Sequence, residues 1–322
     1  MKANRQSYMR RTYSIATVLP QLGAKVISLV ERATSRQILW RQPDRPLGPV
    51  TYGNPFDQYD ISGWDECFPS IGPCYYPAIP WQGTVIPDHG ELWTAPWSVH
   101  AEGADLVMQV TGVQFPYTFE RRFQPLSSGL RVRYSVTNNS PFPFRCLWSM
   151  HPFLRVNSTT RILCPTDAHI RVEQSKYGRL GAQGERHPWP TTHDVEGRQV
   201  DMSLIGPPNQ DALEKLFVDD LSAGWVASFD ESDGAYVAFL FDLDTVPFVG
   251  LAINRDGWPF DGSRVCTLIV EPCSGWPDRL DEAIDHGAYI MIPGHEQRQW
   301  SVDLLVGQGK DHLKAALGQS QG

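Results

Sequence analysis

The chain has 322 residues, of which 41% are hydrophobic and 20% are charged, and its formal net charge is −8. This length and ordinary composition predict a globular protein with a large core, and a single all-β domain can reach such a size. The negative charge argues against a nucleic-acid partner, because neutralising phosphates takes clustered lysine and arginine. No apolar stretch approaches the roughly 18 residues of a membrane span, and no apolar segment follows the short basic N-terminus, so we expect neither a membrane contact nor a signal peptide.

The cysteines indicate a reducing compartment. They are Cys67, Cys74, Cys146, Cys164, Cys266 and Cys273. None forms a C-x-x-C pair, and most lie inside or beside apolar runs, which is typical of buried free thiols. We therefore expect a cytoplasmic protein.

Short strand-like runs dominate the chain. With 27 glycines and 26 prolines spread along it, long helices have little room. The run Leu130-Arg-Val-Arg-Tyr-Ser-Val alternates apolar and polar residues with period two, as a half-buried strand requires. The predicted strands are 13–19, 24–30, 38–40, 106–113, 117–123, 130–137, 144–150, 224–229, 235–241, 265–270, 289–292 and 300–306.

This density of strands, joined by hairpin-length turns, favours an all-β fold: one large antiparallel β-sandwich with a few short helices. The predicted helices are 207–217, 277–284 and 311–317, and the polar stretch 174–201 is predicted to be a mobile loop. A single domain is expected over 1–322, with flexible tails at 1–10 and 308–322.

Three titratable side chains stand where predicted strands or turns end, which is where sites usually lie. His89 sits between Asp88 and Gly90 in a Pro-led turn, and His151 precedes Pro152 after an apolar strand. Glu271 ends an apolar strand, where a carboxylate is costly unless it is paired or needed. The structural alternatives are a surface turn histidine, a core histidine bonded to a carbonyl, and an ion pair of Glu271 with Arg279.

One carboxylate and two imidazoles around one cleft would be acid–base equipment. The chain has no G-x-S-x-G nucleophile elbow, no P-loop and no dinucleotide fingerprint. His89 and Glu91 are potential metal ligands, but this short pattern lacks a second cluster, so we expect no metal and no other cofactor.

At these segments the chain resembles the aldose 1-epimerase (galactose mutarotase) superfamily. The matching segments, in chain order, are Leu22-Gly-Ala-Lys-Val-Ile-Ser-Leu, Cys67-Phe-Pro-Ser-Ile-Gly72, His89-Gly90 with Trp93, His151-Pro152-Phe153, and Glu271-Pro272 with Pro277-Asp278. They span nearly the whole chain. The resemblance implies the galactose mutarotase-like supersandwich fold and a sugar as the substrate.

The resemblance also implies a reaction and three catalytic roles. Glu271 would take the proton from the anomeric hydroxyl, His151 would protonate the ring oxygen, and His89 would hydrogen-bond the sugar. Ring opening, rotation and closure then interconvert the α and β anomers without a cofactor. Glu271 must be ionised while His151 is charged, so a bell-shaped pH profile is expected, and the nearby carboxylate is expected to favour the charged imidazole.

The chain departs from the family pattern at its expected substrate-binding residues. Where the family usually has an arginine, this chain has Asp65 and Glu66, and the family's substrate-binding aspartate has no clear counterpart. We expect Asp65 or Glu66 to accept sugar hydroxyl protons, with Arg255 and Trp258 lining the other wall. A loop salt bridge or a packed tryptophan is the alternative for each.

The leading hypothesis is an aldose 1-epimerase acting on a neutral sugar. A sugar-phosphate mutarotase would need several basic side chains in the cleft, which the acidic pair disfavours. A non-catalytic carbohydrate-binding or regulatory protein on the same fold is the second class, and a glycoside hydrolase or lyase would need a second catalytic carboxylate. The sequence leaves the oligomeric state open, with a homodimer as one option. The hypothesis requires Glu271 to lie within a sugar's width of His151 and outside a packed ion pair.

Overall fold

Strands account for most of the regular structure in the computed structural model, which describes residues 7–10, 14–42, 45–165 and 167–318. In chain order they are β1 (Ser7–Arg10), β2 (Ser14–Leu19), β3 (Lys25–Glu31), β4 (Arg36–Gln37), β5 (Trp64–Cys67), β6 (Cys74–Tyr75), β7 (Val85–Ile86), β8 (Ser98–Glu102), β9 (Asp105–Thr111), β10 (Tyr117–Leu126), β11 (Gly129–Asn138), β12 (Phe144–Cys146), β13 (Ser149–Leu154), β14 (Thr160–Leu163), β15 (His169–Ser175), β16 (Arg186–Pro188), β17 (Thr191–His193), β18 (Gln199–Asp201), β19 (Ala212–Asp219), β20 (Trp225–Asp230), β21 (Ala235–Phe241), β22 (Phe248–Arg255), β23 (Cys266–Cys273), β24 (Ile290–Ile292) and β25 (Gln297–Gln308).

The helices are short. Two α-helices, α1 (Leu280–Asp285) and α2 (Lys310–Gly318), and two 3₁₀ turns, Phe56–Gln58 and Lys176–Gly178, are present in the described residues. Neither α-helix has the length and apolar character that crossing a membrane needs.

Two large antiparallel sheets form the body of the protein. Within the described residues, an 11-stranded sheet runs β1-β2-β3-β5-β13-β23-β22-β19-β15-β16, with β4 on β3. An 8-stranded sheet runs β14-β20-β21-β25-β11-β10-β9-β8. Short two-stranded sheets pair β12 with β24, β17 with β18 and β6 with β7. The predicted all-β antiparallel sandwich is confirmed.

The core forms because the apolar positions of the strands recur with period two and so point to one side of each sheet. In β10, Tyr117, Phe119, Arg121 and Phe123 are buried, and the alternate residues 118, 120 and 122 are half-exposed. These rings pack against side chains of the other sheet, such as Trp64 of β5, which lies 5.4 Å from Phe123 between ring centroids. Burial of a large aromatic side chain contributes about 2–3 kcal/mol, so this interior is a main source of stability.

The predicted helix over 207–217 is wrong: residues 212–219 form β19, in the middle of the large sheet. The residues Leu, Glu and Lys favour a helix only weakly, and pairing on both sides overrides that preference. β19 is hydrogen-bonded to β15 on one side and β22 on the other. The sequence pattern also does not predict β22, an almost continuous apolar run, as a strand.

The other two helix predictions match α1 and α2, within a few residues at each end. The stretch 174–201, predicted to be a mobile loop, contains β16, β17 and β18. Of the predicted tails, residues 1–6 and 319–322 lie outside the described residues. β1 pairs with β2, and Leu313 of α2 is buried against neighbouring apolar side chains.

Candidate active site

The register of the large sheet places ionisable side chains of three neighbouring strands in one row. His151 in β13 stands opposite Asp65 in β5, and Gly250 in β22 stands opposite Glu271 in β23. β13 and β23 pair at Ser149–Cys273 and at Phe153–Ile269, so His151 falls level with Glu271. Directly opposed residues point to the same side of a sheet. The row lies on the face turned away from the sandwich interior, because Asp65 alternates along β5 with Trp64 and Glu66, whose side chains contact the other sheet.

A cavity of about 330 Å³ opens above this row. It is lined by Pro55, Asp57, Ile71, Gly72, Pro73, Asp88, His89, His151, Gln174, Leu213, Lys215, Ala252, Asn254, Trp258, Ile269, Glu271 and Asp278. The structure thus brings His89, His151 and Glu271 together although they are far apart in the chain. Trp258, the predicted wall residue, also lines the cavity.

His89 is held by its turn and by two neighbours. Its backbone takes a left-handed conformation with φ of 59°, and the following Gly90 packs on Phe68 so closely that a side chain there would collide with the backbone. The Nδ1 atom lies 2.8 Å from Oδ1 of Asp88, and the ring stacks on Phe56 with 4.1 Å between centroids. Burial opposes a charge on the ring, but Asp88 outweighs it and raises the pKa of His89.

His151 behaves in the opposite way to the expectation. Its pKa lies well below the usual histidine value because the ring is buried and because His89, Lys215 and Lys25 add repulsion. The prediction that His151 favours its charged form is therefore wrong, because burial first, and then these cations, disfavour the charge. The two imidazole rings meet edge to face, with 4.9 Å between centroids. Nδ1 of His151 is buried without a hydrogen-bond partner among the described residues.

Glu271 is fully buried and makes an ion pair. Both of its oxygens lie 2.6 Å from Nζ of Lys215, and the hydroxyl of Ser149 donates to Oε2 at 3.2 Å. Oε1 lies 3.9 Å from Nε2 of His151, which meets the distance requirement stated above. The second requirement is not met in full, because Glu271 is paired, although the pair lies at the cavity. The pairing with Arg279 is wrong, since Arg279 binds Asp281 and Glu282 instead.

Lys215 is the site residue that sequence reasoning missed. It was hidden in the segment interpreted as a helix, and a lone lysine there looks like a solvated side chain. Read as a strand, residues 213, 215 and 217 share one face, and the register sets Lys215 opposite Ala252. Burial opposes the charge of Lys215, but Asp278 and Glu271 outweigh this effect and raise its pKa.

Asp65 and Glu66 do not line the cavity, so the expectation that one of them binds sugar hydroxyls is corrected. Asp65 lies beneath it, buried, with Oδ2 2.8 Å from Nζ of Lys25. Glu66 points to the opposite side of β5, into the sandwich interior. There Oε1 accepts hydrogen bonds of 3.0 Å from Trp64, Arg121 and Tyr134. Burial raises the pKa of both carboxyls despite these partners.

The expectation that Arg255 lines the wall of the cavity is also wrong. It stands one residue beyond Asn254, which lines the cavity, so alternation along β22 turns its side chain to the other face. Burial and the neighbouring Arg179 lower the pKa of Arg255. Asn254 instead shapes the wall, because its Oδ1 accepts the N–H groups of Gly257 and Trp258 at 2.9 and 3.1 Å.

Glu91, considered as a metal ligand with His89, is buried in a different hydrogen-bond network. Its oxygens accept the hydroxyls of Tyr52 and Tyr117 and the N–H groups of Val113 and Gln114. A different trio, Cys67, His89 and His151, presents ligand atoms within 4.8 Å of one another. Burial raises the pKa of the Cys67 thiol well above its usual value.

Comparison with solved structures finds the same fold in several proteins. A putative aldose 1-epimerase from Escherichia coli K12 is 16% identical, with a TM-score of 0.66, and covers 95% of this chain and 99% of its own. A galactose mutarotase-like protein from Lactobacillus casei is 16% identical, with a TM-score of 0.63, and the match covers 94% of this chain and 100% of that protein. A galactose mutarotase related enzyme from Lactobacillus acidophilus is 13% identical, with a TM-score of 0.67, and covers 95% and 99%.

No family model matches the sequence. No curated protein matches it either. At identities of 13–16% the structural likeness establishes architecture, and it extends over nearly the full length of both partners. The resemblance drawn from the short sequence segments is thereby confirmed at the level of the fold: the chain has the galactose mutarotase-like fold.

Proposed function

We propose that the cavity binds an aldose and interconverts its α and β anomers. The observation that carries this proposal is the meeting of Glu271 with His151 and His89 in one cavity of about 330 Å³, with Oε1 of Glu271 3.9 Å from Nε2 of His151. A carboxylate and imidazoles within reach of one sugar ring are the groups that general acid–base ring opening requires. The fold, shared with putative aldose 1-epimerases, supports the same activity.

The charges assign the roles differently from the sequence resemblance. Glu271 takes the proton of the anomeric hydroxyl, while the bond from C1 to the ring oxygen breaks. His89, the imidazole that Asp88 keeps charged, gives its proton to the ring oxygen. His151 stays neutral and acts as a hydrogen-bonding partner between them. The open aldehyde rotates, and reversal of both proton transfers closes the ring as the other anomer, so no proton is gained or lost overall.

The lining favours a neutral sugar. Four carboxylates, those of Asp57, Asp88, Glu271 and Asp278, line the cavity, and its lysine is engaged by Glu271 at 2.6 Å and Asp278 at 3.6 Å. A phosphate or a carboxylate on the sugar would meet this negative surplus without a free lysine to bind it. Trp258 offers an apolar surface for the face of a pyranose ring.

A non-catalytic sugar-binding protein is the second candidate, and a specific contact favours it. Lys215 holds both oxygens of Glu271, and a carboxylate gripped in this way is a weaker base than a free one. A protein that only binds sugar could retain such an ion pair as a structural feature of its pocket.

Anomer equilibration distinguishes the two candidates. Freshly dissolved α-glucose and α-galactose are followed by polarimetry with purified protein. The proposal predicts faster equilibration than in buffer. Glu271→Gln is expected to lower the catalysed rate by about 10²-fold or more. Glu296→Gln makes the same chemical change at an exposed position and is expected to leave the rate unaltered. Sugar binding with equilibration at the buffer rate would instead establish the binding protein.

A further inference from the structure

Lys215 forms an ion pair with Glu271, the proposed base, across one intervening strand of the large sheet. Its Nζ lies 2.6 Å from each oxygen of Glu271, and the side chains are 10% and 0% exposed. β19 carries the lysine and β23 the glutamate, with β22 between them. A buried ammonium this close keeps a carboxylate ionised and also fixes the directions of its oxygens.

Two further contacts complete the fixed geometry of Glu271. The Ser149 hydroxyl donates to Oε2 at 3.2 Å. Gly250 stands opposite Glu271, and a Cβ at that glycine would lie 3.1 Å from the Cβ of Glu271 and 3.2 Å from its Oε2. The missing side chain leaves the space that the carboxylate occupies. Oε1 is the oxygen that faces His151, at 3.9 Å.

Lys215 is itself held in place. Nζ lies 3.6 Å from Oδ1 of Asp278, and Asp278 belongs to the loop that follows β23. The lysine therefore lies between two carboxylates, and the raised pKa described above keeps it charged at neutral pH.

We infer that Lys215 is a positioning residue, which keeps Glu271 ionised and aims its Oε1 at the anomeric hydroxyl. This inference rests on the proposed epimerase function. On this inference the Lys215–Glu271 ion pair, which favours a non-catalytic binding protein when considered alone, contributes to catalysis. It also assigns Lys215 a measurable effect, since without it a buried carboxyl favours its neutral form and needs a higher pH to ionise.

Other ionisable groups surround the pair and enter the pH dependence. Those that interact with Glu271 or Lys215 are His151 of β13, Cys67 of β5, His89 of the turn after β7, Glu173 of β15, Cys273 of β23, and Asp278. A substitution that removes the charge of Lys215 also removes its repulsion of His151 and its attraction for Asp278, so the ionisation of Glu271 has to be followed directly as well as through activity.

The test compares Lys215→Met with Lys215→Arg. Lys215→Met is expected to move the acid limb of the kcat/KM profile upward by about two pH units, with activity recovering toward the wild-type level above that limb. Lys215→Arg retains the charge and is expected to keep the limb within about half a unit of the wild type. An equal loss at every pH in Lys215→Met, or an unmoved limb, would overturn the inference. Thermal unfolding checks that each variant folds, and Lys215→Gln serves if the methionine variant does not.

A second measurement separates failure of the inference from failure of the proposed function. Carbon-13 NMR of labelled glutamate carboxyls follows the ionisation of Glu271 directly, and the signal is identified by its loss in Glu271→Gln. The wild-type signal is expected to stay in its ionised position to lower pH than the signal in Lys215→Met. A wild-type protein that accelerates no anomerisation would end the epimerase proposal. Coincident carboxyl titrations in the two proteins would end the role of Lys215, whatever the activity.

Discussion

Replacing Asp88 with asparagine tests whether His89 carries the proton that reaches the ring oxygen. Oδ1 of Asp88 lies 2.8 Å from Nδ1 of His89, and its Oδ2 accepts the N–H of Phe56 at 2.9 Å. Asparagine has nearly the same shape but only one acceptor oxygen, so the substitution removes the negative charge together with one of these two hydrogen bonds. Without that charge, little offsets the effect of burial, so the pKa of His89 falls and the imidazole loses its proton at a lower pH.

The size of the effect follows from the contact. A hydrogen bond to a charged group contributes about 1.5–3 kcal/mol, against about 1 kcal/mol for a neutral one. The difference is thus about 0.5–2 kcal/mol, and because the side chain of Asp88 is 30% exposed, solvent screening keeps it near the middle of that range, at about 1–1.5 kcal/mol. Since one pH unit corresponds to about 1.36 kcal/mol, the expected shift is about one unit. The charged imidazole is the active form and its pKa is raised, so activity is lost as pH rises through that value, and the variant loses it sooner.

The measurement is the pH dependence of kcat/KM for the best aldose from the equilibration screen. The basic limb of Asp88→Asn is expected about one pH unit below that of the wild type, and the acid limb is expected to stay where it is. Asp244→Asn, the same change at an exposed position, is the control. An unmoved basic limb in a folded Asp88→Asn protein would refute the assignment of His89 as the proton donor. A lowered acid limb would also contradict it.

Three further outcomes are expected. Glu66→Gln is expected to lower the free energy of unfolding in a urea titration by about 3 kcal/mol, because it leaves Arg121 buried without its counter-charge. Sugar affinity is expected to stay intact, and a loss of affinity at unchanged stability would show that Glu66 contacts the sugar. Trp258→Ala is expected to weaken sugar binding in calorimetry by about three- to tenfold, through the lost stacking surface, and unaltered affinity would place the sugar elsewhere. Gly250→Ala is expected to lower kcat about tenfold, with little change in KM, because the new Cβ displaces the Glu271 carboxylate; an unchanged kcat would show that its position is not critical.

Much of the architecture could be predicted from local sequence pattern. Alternation over 130–137 and turn residues between runs are local signals, and they located most strands of the 8-stranded sheet. The local pattern did not identify β19 or β22 as strands, because in both segments it is ambiguous. In β19 the residues Leu, Glu and Lys also suit a helix, and in β22 both faces are buried, so the run shows no alternation. Pairing with neighbouring strands decided both, and no local window contains that information.

By itself the sequence pointed to the antiparallel β-sandwich and to His89, His151 and Glu271, because each of these side chains stands at the end of a recognisable strand or turn. Tertiary structure alone decided the rest of the site. All four residues of β5 are buried, so no polarity signal could tell which of Asp65 and Glu66 faces the sandwich interior. The partner of Glu271 and the charge of His151 likewise depend on Lys215 and Lys25, which lie on other strands. Electrostatic interactions act through space between residues distant in the chain, and only the sheet register brings them into range.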